Sequence, residues 1–120
     1  MTGDSDLDDF AHGIELFNAG RYFESHEVLE QVWLRANGAS KTILQGLIQA
    51  AAVLVHLKRG NLIGARSLLS KSQTNLAAAP DQFMGIALAG FRQALDSFVL
   101  AAEAGDSSAP RPILHCSIRE

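Results

Sequence analysis

This 120-residue chain has one cysteine, Cys116, no run of lysine and arginine, and a formal charge of only −3. A single cysteine excludes an internal disulfide and any multi-cysteine metal centre, and Cys116 reads as an incidental thiol in a terminal tail. Without a basic cluster there is no broad cationic surface for phosphate backbones, so nucleic acid is not an expected partner. The first nine residues, Met1 to Asp9, are acidic where a signal or transit peptide would be basic. The greasiest stretch, Ile43 to Leu57, is broken by Gln45, Gln49 and His56. It falls short of the ~20 residues a membrane span needs. No glycine-rich loop would cradle a phosphate, and no serine has acidic or basic neighbours spaced for nucleophilic catalysis. These absences point to the cytoplasm, with neither nucleic acid nor membrane as partner.

Apolar residues make up 48% of the chain and charged residues 19%, a balance that suits one compact domain. Every periodic segment repeats near 3.6 residues, and no alternating strand pattern persists. The expected fold is all-α, a small bundle of about five helices: two antiparallel helical hairpins plus a closing C-terminal helix. Helix one starts after Asp4 to Asp6, buries Leu7, Phe10, Ile14 and Phe17, and stops at Gly20. Helix two follows at once, from Tyr22 to Arg35, so the pair forms a hairpin. Asn37-Gly38 breaks the chain, and Ser40 is the expected cap of helix three, which runs to Arg59. Gly60-Asn61 separates it from helix four, Leu62 to Leu76, which is expected to bury Leu62, Ala65, Leu69 and Leu76. The last helix begins at Ile86 or Leu88 and ends near Ala104. Residues 1–105 form the domain, and 106–120 a flexible or loosely docked tail whose Ile113, Leu114 and Ile118 offer groups to pack onto the bundle.

Chemistry concentrates on two of these helices. At about 100° per residue, Tyr22, Phe23, Leu29, Trp33 and Leu34 share one side of helix two. His26 and Glu30 fall within that side rather than opposite it. An imidazole and a carboxylate so placed must be paired, hydrogen-bonded or bound to something. Helix three is apolar almost all round, yet Gln45, Gln49 and His56 lie within about 40° of one another on its wheel. That stripe is either the wet face of helix three or one side of a polar cluster. In a cluster, Gln45, Gln49 and His56 would meet His26, Glu27 and Glu30 across the contact between helices two and three.

Three stretches carry a resemblance to a known family. They are Leu16 to Trp33 (with Phe17-Asn18, Gly20, Tyr22, Glu24 and His26-Glu-Val-Leu-Glu30), Leu44 to Ala52 (with Gln45-Gly-Leu-Ile-Gln49), and His56 followed by Gly60-Asn61 and Gly64-Ala65. Together they resemble the family catalogued as domain of unknown function 309, over roughly residues 10 to 77. The resemblance implies a small all-α bundle and places His26, Glu27, Glu30, Trp33, Gln49 and His56 in a shared motif. It implies no reaction, because none is established for that family.

Two functions fit the residues best, and a polar small-molecule pocket in the same place is a third. One is a non-enzymatic binding or interaction module, with a protein partner or a second copy of the chain seated on the hairpins and no cofactor. The other is a divalent-metal protein or metal-assisted hydrolase, with His26, Glu30 and His56 as ligands and Glu27 as general base. The segment His26-Glu27-Val28-Leu29-Glu30 resembles the H-E-x-x-H metalloprotease helix with glutamate at the second histidine.

Overall fold

The computed structural model describes residues 2–116, with side chains described from Ser5 onward. Among these residues there are five helices: α1 (Thr2–Asn18), α2 (Tyr22–Arg35), α3 (Gly38–Lys58), α4 (Leu62–Leu76) and α5 (Phe91–Glu103). The fold is the expected all-α bundle. Because α1 is already helical at Thr2, its start precedes the expected one, and the proposed Asp4 cap lies outside the described side chains. The α3 helix packs between α2 and α4 and is buried along both flanks, with Leu47, Ala50, Ala51 and Val53 wholly enclosed. Among the described residues it is the one helix long and apolar enough to cross a membrane, at 21 residues, and half of its most apolar stretch is covered by the bundle.

Both hairpin turns are closed by the same backbone chemistry. Gly20 N–H donates to Phe17 and Arg21 N–H to Leu16; at the second turn Gly60 N–H donates to Leu57 and Asn61 N–H to His56. Each glycine has a positive φ, +81° and +75°, the left-handed step that such a helix end requires. The next helix therefore starts two residues after the glycine, antiparallel to the last. At the start of α3 the expectation fails in detail. The cap position is Asn37, and Ser40 already lies in the first turn.

The two hairpins also share an interior device. Ser25 Oγ donates to the Gly13 carbonyl at 2.8 Å, and Ser72 Oγ donates to the Gly46 carbonyl at 2.7 Å. Both serines are wholly buried. A Cβ on Gly13 would lie 2.6 Å from Leu29, and one on Gly46 2.7 Å from Leu76. In each hairpin a bare glycine backbone on the first helix thus admits a leucine, and a serine one turn earlier satisfies the exposed carbonyl.

Some expected inward residues face water. The buried set of α2 is Tyr22, Ser25, Leu29 and Val32, while Phe23 and Leu34 are 56% and 59% exposed. The apolar sector is narrower than expected: these two lie about a third of a turn from Tyr22 and Leu29. Leu7 and Leu62 are likewise partly exposed, at 50% and 40%, whereas Leu16 is buried.

Between α4 and α5 the chain forms a small antiparallel sheet that the periodicity does not announce. Strands β1 (Gln82–Phe83) and β2 (Ile86–Ala87) are joined through Met84 and Gly85, both at positive φ. Two residues per strand are too few for an alternation to register, and α5 consequently starts at Phe91 rather than at Ile86 or Leu88. After α5 the chain returns along the bundle, and β3 (His115–Cys116) pairs with β2. Asn18 grips this return: its Nδ2 donates to the Leu114 carbonyl, and its Oδ1 accepts from the Leu114 N–H, both at 2.9 Å. Leu114 is 1% exposed and Pro112 is buried, while Ile118 lies outside the described residues. Arg35 ties α2 to Asp6 and Asp9 of α1, and Arg66 ties α4 to Glu103 of α5.

Candidate functional site

A concavity of about 270 Å³ lies across the middle of α2, α3 and α4. Helical spacing builds it. His26, Glu30 and Trp33 come from successive turns of α2, Gln45, Ile48, Gln49 and Ala52 from α3, and Leu68 and Lys71 from α4. Trp33, Ile48, Ala52 and Leu68 form an apolar floor and walls, and the remaining side chains supply polar groups. On the outer side of Trp33, Lys41 Nζ sits 4.2 Å from the ring centroid and braces it through a cation–π contact.

The polar groups are largely uncommitted. Gln49 Oε1 accepts from Asn75 Nδ2 at 2.7 Å, which fixes that amide and leaves its own NH2 to point elsewhere. Glu30, Gln45 and Lys71 form no hydrogen bond among the described residues, and Glu30 and Lys71 do not pair with each other. His26 is half-buried, and its Nδ1 is enclosed without a partner. A buried bare lone pair costs less than a buried unpaired N–H, so the proton belongs on Nε2.

His26, Glu30, Gln45 and Gln49 line one concavity, as the helical wheels suggest, but the cluster is not buried as expected: Glu30 is exposed and the other three are half-buried. His56 and Glu27 do not join them. Glu27 is exposed on α2 and does not line the concavity. His56 belongs to the α3–α4 turn, where Asn61 Nδ2 donates to its Nδ1 at 2.9 Å and Asn61 Oδ1 accepts from Gly64 N–H at 3.0 Å. The histidine orients the asparagine that caps α4. The triad His26, Glu30 and His56 is consequently not assembled, and no group of three or more His, Cys, Asp or Glu among the described residues converges on a metal-sized space. Ligation by His26 Nε2 would also put the proton on an Nδ1 that has no acceptor, against the second-sphere bond such ligands normally make. Lys71 is the pocket residue that helical periodicity missed. Its signal was present, since Leu68 and Lys71 stand one turn apart on the flank of α4 that neighbours Leu69 and Ser72.

The fold accounts for much of the motif that carries the family resemblance. Phe17, Tyr22 and Leu29 are core, Asn18 clamps the returning chain, and Gly20 ends α1. Gly46 lets Leu76 approach, Gly60 ends α3, and Gly64 leaves room for Asn61, whose Nδ2 would lie 2.5 Å from a Cβ there. Of the polar and aromatic motif residues that remain, His56 and Asn61 build the cap of α4, Glu24 pairs with Arg21, Glu27 is exposed, and His26, Glu30, Trp33, Gln45 and Gln49 line the one concavity.

Comparison with other proteins agrees with the residue-level resemblance. An uncharacterized protein of Aquifex aeolicus (strain VF5) is 34% identical over 91 residues, 75% of this chain and 27% of that protein. The chain thus spans about a quarter of that relative's length. The crystal structure of a conserved hypothetical protein from Thermus thermophilus matches with a TM-score of 0.69 and 36% identity, covering 78% of this chain and 97% of that one. Residues 10–68 match the family described as Domain of unknown function (DUF309). With the same motifs, the same fold and relatives at this identity, the chain belongs to the DUF309 family.

Proposed function

We propose that the protein is a non-enzymatic, cytoplasmic binding module that holds a dipolar segment of a protein partner in the concavity between α2, α3 and α4. The observation that carries this reading is the convergence of uncommitted donors and acceptors from three helices over an apolar floor. Glu30 offers an anion, Lys71 a cation, and Gln45 and Gln49 offer amides that match a peptide's own N–H and C=O groups. The space takes about one side chain, with Trp33 and Ile48 supplying apolar contact beneath it.

The test places a photoactivatable residue at Gln45, with a control at exposed His12 on α1, and irradiates the protein in an extract of its own cells. A discrete adduct from position 45, absent from position 12 and lost on adding Glu30→Lys, supports the module. The Glu30→Lys melting temperature is expected to be unaltered. Adducts that are the same from both positions, or that survive Glu30→Lys, refute it. Light scattering over a concentration series separates a second copy of the chain from a different partner. EDTA is expected to leave thermal stability unchanged, as a metal-free site requires.

A further inference from the structure

A larger concavity, about 460 Å³, opens at the end of the bundle where the two hairpin turns meet the C-terminal half of α5 and the returning chain. It shares no lining residue with the site above. Leu54, Leu57, Phe98 and Ala102 make its walls, and its size lies in the ~300–1,000 Å³ range of small-molecule sites. Such walls favour an apolar body over water.

Three charged side chains line the opening: Lys58, Arg111 and Asp106. Neither cation pairs with a carboxylate among the described residues. Lys58 Nζ lies 3.4 Å from the Gly20 carbonyl and 5.8 Å from the centroid of the Tyr22 ring, and Arg111 Nη2 donates to the Asn18 carbonyl at 3.3 Å. Asp106 is committed to its own turn, where its Oδ1 accepts from the Ser108 N–H at 2.9 Å and from the Ser108 hydroxyl at 2.6 Å. At each hairpin turn a helix C-terminus stands beside a helix N-terminus, so their partial charges offset, while the C-terminus of α5 adds a partial negative charge at Gly105 that the two full positive charges outweigh. Tyr22, 5% exposed, is part of the same wall, and its buried hydroxyl has no partner among the described residues. The opening thus presents two cations without a carboxylate partner, with the Asp106 carboxylate held to one side, over a greasy interior.

We propose that this cavity binds a free single-chain anionic amphiphile, an alkyl carboxylate of medium length. Its chain lies against Leu54 and Phe98, and its head group lies between Lys58 and Arg111. The experiment titrates the full chain with octanoate, decanoate and dodecanoate by calorimetry, with amide shifts followed by NMR. Saturable 1:1 binding is expected, with shifts at Leu54, Phe98 and Ala102. Affinity should rise roughly fourfold per added methylene, the factor that ~0.8 kcal/mol per buried CH₂ gives. Decylammonium should bind at least tenfold more weakly than decanoate. Ala102→Trp should abolish binding, and Lys58→Glu with Arg111→Glu should weaken it tenfold or more. Both of the latter positions lie at the opening rather than in the core, so that variant carries the test if Ala102→Trp does not fold. Absence of saturable binding, equal affinity for decylammonium, or unchanged decanoate binding in the charge-reversed protein overturns the proposal. Pelleting with phosphatidylglycerol vesicles that persists in Ala102→Trp assigns surface adsorption instead, and overturns it too.

Discussion

At the scale of single residues, the most informative positions are the glycines and serines that join paired helices. The Gly46 carbonyl accepts from Ser72 while remaining inside α3, so removing the hydroxyl costs one bond out of two. Adding a methyl group at Gly46 instead drives a Cβ to 2.7 Å from the Leu76 side chain and 3.2 Å from Asn75. Overpacking should therefore outweigh the lost hydrogen bond. Ser72→Ala is expected to cost about 0.5–1.5 kcal/mol and Gly46→Ala about 1–3 kcal/mol, measured by urea denaturation at constant m-value. An equal or reversed order would show that the helices slide apart without penalty. Ser25 and Ser72 could not be singled out in the sequence, because a buried serine and a surface serine look alike there. The trace they do leave is a leucine four residues later facing a glycine on the preceding helix, and it appears in both hairpins.

At the scale of elements, what was legible was local chemistry. Gly20, Gly60 and Gly105 mark helix ends because left-handed closure is decided within a few residues, and the starts of α2 and α4 follow from the first two directly. Gly60 isolates that effect, since a Cβ there meets nothing within 4 Å. Gly60→Ala should lower stability by ~1–2 kcal/mol through backbone conformation alone, and Gly60→Asn by less. If the two substitutions melt together, the turn does not need the left-handed step. The β1–β2–β3 sheet was illegible because its strands are two residues long and its turn places Met84, rather than the usual Asn or Asp, before Gly85. The site was half legible. His26, Glu30, Gln45 and Gln49 could be grouped because each pair stands one turn apart. His56 shares the Gln45–Gln49 stripe but sits two turns on, where α3 meets the cap of α4 and the chain has another use for it. Wheels give direction around an axis; they do not say what waits at each height along it.

At the scale of the molecule, the first four helices are held by interdigitated cores, and α5 is additionally tied to α4 by Arg66–Glu103 at the surface. The guanidinium hydrogen bonds, aided by its charge, hold the Glu103 carboxyl below its ordinary range. A carboxyl depressed in the folded state contributes stability above the unfolded value, about 4.3, and loses it as pH falls through the folded value. The melting-temperature gap between the native protein and Glu103→Gln should therefore be widest at neutral pH and low salt. It should close in acid, and also near 1 M salt, where an exposed pair is screened. A gap that holds constant through acid would assign the effect of Glu103 to packing rather than charge.

The grip of Asn18 on Leu114 has a mechanical corollary. Force applied through the C-terminal end does not reach α5 first; it shears β3 from β2 and strains two parallel amide bonds anchored at the end of α1. Under tension the molecule should yield in a small early step, the peeling of one short strap, before the helical hairpins give way. A tether on that end would report on the strap and on little else.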